Sequence, residues 1–346
     1  MSDQALLSRR FVLCGPLALP LTFAACSSGA EIMRIEGATM GTTYRVVALD
    51  ASKRLGQAEV MAAIDTALAE VNRQMSNWDP DSEISRFNTQ ESTAPVPISS
   101  GLAEVMAAAE TVSAASQGRF DTTMGPVIEL WGFGARGGST LPTETDIAAA
   151  RARAGHANTI RLSDGTLQKL QPEAQVYLAA IGKGYGADHV ARALEGLGID
   201  DYMVDIGGDL RVAGRNPDGL PWQIGIETPA VERIDVMQVV GVSNLGLASS
   251  GDYRNFFVHE GQRYSHLIDP RTGRPVTHNT ASATVIAENA MLADAWATAM
   301  HIMGREDGLA LAEELDLAVL FAERDHSATG SGFVTSASPA FAALST

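Results

Sequence analysis

Cysteine is scarce in this 346-residue chain: there are two, Cys14 and Cys26, both close to the N-terminus. That excludes a disulfide framework and a cysteine-rich metal cluster, so the fold has to rest on its core. Basic side chains are also short, with 25 Lys and Arg against 41 Asp and Glu and a formal charge of −16. A surface of that sign repels nucleic acid, and no basic stripe compensates locally, so no nucleic-acid partner is expected. The apolar run from Phe11 to Ala25 has 15 residues, too few for a bilayer core that needs about 20. Walker A spacing is absent, as are any repeat of fixed period and any long disordered linker.

What is there begins with an address. Arg9-Arg10 precede the apolar run, and Phe23-Ala24-Ala25-Cys26 reads as a lipoprotein cleavage box with Cys26 as the modified residue. Residues 1–25 are therefore expected to be a signal peptide, and 26–346 an exported domain anchored to a membrane through lipidated Cys26 and facing the periplasm. Ser8-Arg9-Arg10-Phe11-Val12-Leu13 is similar to a twin-arginine signal, one residue short of the usual spacing before Phe11, so the twin-arginine and general secretory routes both stay open. The leader carries Arg9 and Arg10 against Asp3, a net of +1, which leaves −17 on the remainder. A polyanionic ligand would be repelled by that charge unless a cation and a few placed donors offset it.

Periodicity then gives the fold class. Val60, Ile64, Leu68, Val71 and Met75 make one helical stripe over 57–75, and Leu102, Val105, Met106, Ala109 and Val112 make a second after Ser99-Ser100-Gly101. From Thr159 onward the pattern predicts short strands at 159–162, 202–206, 222–226, 239–242, 255–258, 264–268, 281–286 and 317–322. Helices interrupt them at 184–197, 289–303 and 305–315, and 329–338 reads as a mobile tail before a re-anchored Pro339-Ala340-Phe341. The expectation is an α+β fold of mixed or antiparallel sheets with packed helices, in one large domain or two fused lobes.

The richest stretch runs from Ser265-His266-Leu267-Ile268-Asp269-Pro270-Arg271-Thr272-Gly273 to Ala293-Asp294-Ala295-Trp296-Ala297-Thr298. Asp294 and Thr298 stand four apart on a helix, so a carboxylate and a hydroxyl face the same way and can share one hard cation. The ordinary alternative is a dipole-favouring Asp and a Thr bonded back to its own helix. Lys183, between Gly182 and Gly184, sits where a backbone can approach a ligand and an ammonium can meet phosphate, or is a surface lysine in a tight turn.

Upstream stand Met40-Gly41-Thr42, Phe120-Asp121-Thr122-Thr123-Met124-Gly125-Pro126 leading to Trp131-Gly132-Phe133-Gly134, Gly182-Lys183-Gly184-Tyr185, and Gly207-Gly208-Asp209. In this order the set resembles the FAD:protein FMN transferases, the ApbE family of exported flavin transferases, from about Met33 to the C-terminus. The resemblance implies FAD as substrate, with contacts from Met40, Trp78, Arg119, Phe120, Asp121, Lys183 and Ile268. It implies a bound magnesium ion held by Asp294, Thr298 and the backbone carbonyl of Ala180. Ordinary core packing competes for Trp78, Phe120 and Ile268, whereas an acid such as Asp121 in an apolar run needs a partner.

The implied reaction moves FMN from FAD to a Ser or Thr hydroxyl of an exported acceptor and releases AMP. Deprotonating that hydroxyl suits an imidazole, which makes His266 the expected base or orienting group, while Asp269 reads as a turn-former. Flavin-carrying subunits of membrane redox complexes are the implied acceptors. The same site using water would be an FAD pyrophosphatase, and one without catalysis an FAD-binding lipoprotein. One departure stands out: relatives usually carry Asp three residues before the backbone metal ligand, and here the residue is Tyr177.

Overall fold

The computed structural model describes residues 29–134, 141–230, 235–325, 327 and 332–344. The leader, Cys14, Cys26 and its cleavage box lie outside the described residues. The first described element is a hairpin, β1 (Glu31–Thr39) and β2 (Thr42–Asp50), which turns at Met40-Gly41. Both turn residues have positive φ, 50° at Met40 and 72° at Gly41, the geometry whose twist matches that of the flanking strands.

Helix α1 (Gln57–Met75) buries the stripe its spacing predicts. After it comes a short helix, α2 (Glu83–Thr89), which starts where Ser82 caps the Ser85 amide. There follow β3 (Val96–Pro97), α3 (Ser100–Ala115), α4 (Gly125–Leu130), α5 (Glu144–Arg151), α6 (His156–Thr159), β4 (Ile160–Ser163) and β5 (Thr166–Lys169). Next come α7 (Gly182–Gly196), β6 (Asp201–Ile206), β7 (Asp209–Ala213), β8 (Trp222–Glu227), β9 (Val236–Val242) and β10 (Leu245–Gly251). Two small hairpins, β11 (Phe256–His259) with β12 (Gln262–Ser265) and β13 (Ile268–Asp269) with β14 (Arg274–Pro275), precede β15 (Thr280–Ala287). The chain closes with α8 (Ala290–Met303), α9 (Arg305–Glu314), β16 (Ala318–Arg324), β17 (Phe333–Ala337) and α10 (Pro339–Leu344).

Eight strands form the main sheet in the order β1-β2-β6-β7-β10-β15-β16-β17. Every pairing in it is antiparallel, which narrows the expected mixed or antiparallel α+β fold to the second choice. Strand β2 shows how the layers arise. Tyr44, Val46 and Ala48 point into a core shared with α1 and α7, and Val47 and Leu49 point the other way, toward Trp222, Ile224 and Phe341. Helix α8 lies on the α1/α7 face, its alanines packed on Ala248, Ala283 and Val285.

One expectation is corrected and one strand is unforeseen. The tail is in part a strand, since β17 pairs with β16 along Leu320–Arg324, with Phe341 buried behind it. Strand β10, Leu-Gly-Leu-Ala-Ser-Ser-Gly, carries too little β-branched or aromatic character to read as a strand. Its small residues have a packing reason: a Cβ on Gly246 would stand 2.2 Å from the Ala290 nitrogen, so only glycine lets α8 begin there.

Candidate active site

The site forms where the N-termini of α7 and α8 meet backbone to backbone. A Cβ on Gly184 would lie 2.2 Å from the Ala290 carbonyl oxygen, so the close approach expected around Lys183 is made to the protein's own α8. Asp188 secures the junction. Its carboxylate accepts the Ala290 amide at 3.0 Å and the Met291 amide at 2.8 Å, satisfying two of the orphan donors that open α8. Burial pushes Asp188 up to about 6, against the pull of those two bonds and of Arg211.

One turn further along α8, Asp294 accepts the Gly184 amide at 3.2 Å. The Lys183 ammonium then lies 2.5 Å from Asp209 and 3.5 Å from Asp294. Asp209 opens β7 directly after Gly207 and Gly208, whose φ of 60° and 97° make the tight turn from β6. Two nearly buried carboxylates thus share one ammonium. Burial lowers the lysine pKa, but Asp209 and Asp294 outweigh it and hold Lys183 above its usual value. Burial and the neighbouring Asp294 charge raise Asp209 well above the ordinary carboxylate range, with Lys183 opposing.

Thr298 follows Asp294 by four residues and is partly buried, and Ala180 lies just before the first turn of α7. Among the described residues no group of three or more His, Cys, Asp or Glu is placed to hold a metal ion alone. An ion at Asp294 would therefore also take hydroxyl, backbone or ligand oxygens. That all-oxygen set, with one negative charge left over between Asp209, Asp294 and Lys183, fits a hard divalent cation.

A cavity of about 200 Å³ adjoins the cluster, lined by Met40, Asn72, Met75, Trp78, Leu178 and Lys183 among others. Met40 reaches it from the hairpin turn, its Cε so close that a Cβ on Gly186 would meet it at 2.8 Å. Trp78 stands at the rim with 68% of its surface exposed, so core packing does not account for it. Met40, Trp78, Lys183 and Asp294 are thus brought together.

His266 lies just beyond β12. Its Nδ1 is 3.0 Å from the Asn255 carbonyl, which can only accept, so Nδ1 carries the proton and Nε2 keeps a free lone pair. Burial lowers the His266 pKa, with the Asn255 bond opposing and the Lys183 charge contributing, which leaves a neutral imidazole.

The remaining expected contacts lie elsewhere. Phe120 and Ile268 are 1% and 5% exposed, and core packing accounts for both side chains. Buried Arg119 pairs with Asp307 at 3.2 Å. Asp121 finds its partner locally: Oδ1 accepts the Thr123 amide and hydroxyl at 2.7 and 2.6 Å, and Oδ2 the His156 amide at 3.2 Å. It faces a second cleft, with His156, Pro270 and Arg271 on its walls. Asp269 does form a turn, accepting the Arg271 amide at 2.9 Å. The Tyr177 ring fills the notch left by Gly125, and its hydroxyl donates to Glu129 at 2.9 Å. Sequence reasoning quoted Asp209 within a motif but gave it no role, and missed Asp188. The available signal was an acid inside each otherwise apolar pattern.

Comparison with known proteins gives this arrangement its class. The chain belongs to the ApbE family, whose family model matches residues 40–321, and is an enzyme of the transferase kind. Among its relatives, the FAD:protein FMN transferase of Haemophilus influenzae is 42% identical over 338 residues, covering 95% of this chain and 96% of that protein. The solved structure of the flavin transferase ApbE from Vibrio cholerae superposes with a TM-score of 0.83 at 38% identity, covering 91% of this chain and 99% of that one. The apo flavinyl transferase ApbE of Pseudomonas stutzeri gives 0.83 at 36% identity, over 92% and 98%.

Proposed function

We propose that this chain transfers FMN from FAD to a Ser or Thr hydroxyl of an acceptor protein, with magnesium as its metal. The observation that carries the reading is the Lys183–Asp209–Asp294 cluster at the mouth of the Trp78 cavity, in a chain whose relatives are named for this transfer. Asp294, Thr298 and the Ala180 carbonyl hold the ion, which when bound supplies positive charge to the diphosphate. Lys183 adds a second cation, offsetting the acidic field that would otherwise repel FAD. Met40 and Trp78 pack on the flavin.

The neutral Nε2 of His266 accepts the proton of the acceptor hydroxyl. That oxygen bonds to the FMN-side phosphorus while the anhydride P–O bond breaks, and AMP leaves with the anhydride oxygen. Positioning and electrostatics dominate such chemistry. Residues 1–25 form the signal peptide, and the mature domain from lipidated Cys26 faces the periplasm, where flavin subunits of membrane redox complexes are its acceptors.

The test mixes the purified protein with FAD, Mg²⁺ and an acceptor domain. A mass gain on the acceptor equal to FMN supports the reading. Free FMN without acceptor labelling replaces it with a pyrophosphatase, and unchanged FAD with a flavin-binding protein. Cys26→Ser should move the protein from membranes into the soluble fraction.

A further inference from the structure

We propose that Lys183 is a built-in competitor for the metal: in the flavin-free protein its ammonium occupies the Asp209–Asp294 seat, and FAD opens that seat by drawing the ammonium onto its diphosphate. Both steps rest on the ion and flavin sites of the proposed function, but neither requires that FMN be transferred. A magnesium-sized ion binds carboxylate oxygen at about 2.1 Å, and the Lys183 Nζ already stands 3.5 Å from Oδ2 of the Asp294 carboxylate. Two cations on one carboxylate repel, so the ion gains a full share of Asp294 only when the ammonium withdraws.

The direction of withdrawal is set by burial. The Asp209 and Asp294 side chains are 4% and 7% exposed, while that of Lys183 is 30% exposed and lines the cavity. The long, rotatable lysine stem therefore has one open side, the side an anionic ligand enters. Asp209 is the positioning residue of the device. Its 2.5 Å contact parks the ammonium on the seat, and Asp209 itself does not line the cavity. Metal and FAD should consequently bind with positive coupling, FAD first.

The test titrates Mn²⁺ into the flavin-free protein and reads free Mn²⁺ by electron paramagnetic resonance. Lys183→Met should tighten Mn²⁺ binding at least tenfold. Arg211→Met, which removes a cation resting on Asp188 instead, should change it less than threefold. In wild type FAD should tighten Mn²⁺, and in Lys183→Met that gain should shrink. Lys183→Gln, whose amide can still bond Asp209 without charge, serves if Lys183→Met does not fold. Unchanged or weaker Mn²⁺ binding in the lysine variants overturns the proposal, as does an equal gain in Arg211→Met. Because the titration uses no acceptor, failure of FMN transfer in wild type would sink the proposed function and leave this result standing.

Discussion

At the N-terminal end of α8, Asp188, Asp294 and Asp209 gather around Lys183 and Arg211, and acids outnumber the cations that touch them. At its C-terminal end the buried groups are handled differently. His301 is fully buried, its Nδ1 donates to the Ser250 carbonyl at 2.9 Å, and its Nε2 has no partner. His278 lies 5.8 Å away, ring to ring, against the Gly304 turn. Burial draws His301 down to about 4 and lowers His278 as well, so neither carries charge near neutral pH. The acid nearby, Asp252, is answered by Arg263 at 2.7 Å and also by Arg324. One helix therefore shows both treatments: negative charge left in surplus where the proposed cation would sit, and charge cancelled or never formed where the fold alone is served.

The largest expected effect breaks the surplus end. Asp294→Asn keeps the shape and removes the charge proposed to hold the ion, so FMN transfer should fall by roughly 10²–10³-fold. Its melting temperature should stay near wild type. Transfer at the wild-type rate in limiting Mg²⁺, or simple unfolding, would make the two ends alike.

The second prediction sharpens the comparison through pH. His301 has a folded pKa of about 4, below the ordinary histidine value of 6.5, so the unfolded chain binds the extra proton and stability falls as pH drops across that window. The contribution is about 3 kcal/mol. Asp188 is raised to about 6 from 3.8, so the folded chain holds the proton longer and stability falls as pH rises across that window, by about 3 kcal/mol again. The two ends thus pull oppositely between pH 4 and 6. Urea midpoints measured against pH should show His301→Gln gaining relative to wild type as pH falls, and Asp188→Asn gaining as pH rises. Parallel shifts in the two variants would refute the assignment.

The smallest effect lies within the surplus end. Thr298→Ala loses a proposed neutral ligand that water can replace, so transfer at limiting Mg²⁺ should drop by about tenfold, equivalent to roughly 1.4 kcal/mol. Excess Mg²⁺ should recover most of it. A loss that no Mg²⁺ concentration repairs would return Thr298 to a helix-packing role.

Local pattern carried much of this protein. The stripe from Val60 to Met75 marked α1 to the residue, and the four-residue step from Asp294 to Thr298 set both on one face of α8 before any contact was known. Such signals need only neighbours within a turn or two, which the chain itself supplies. The strand β10 was not legible, because its small residues answer to distant backbone: Gly246 is dictated by Ala290, 44 positions on. The charge states were beyond reach for the same reason. Lys183 meets Asp209 and Asp294 only because α7 and α8 touch at Gly184, and an ionisable group takes its pKa from burial and from whatever charges the fold sets beside it. Sequence alone determined the residue types, the helical faces and the family; tertiary structure decided which acid faces which cation, since that pairing depends on distances that only packing creates.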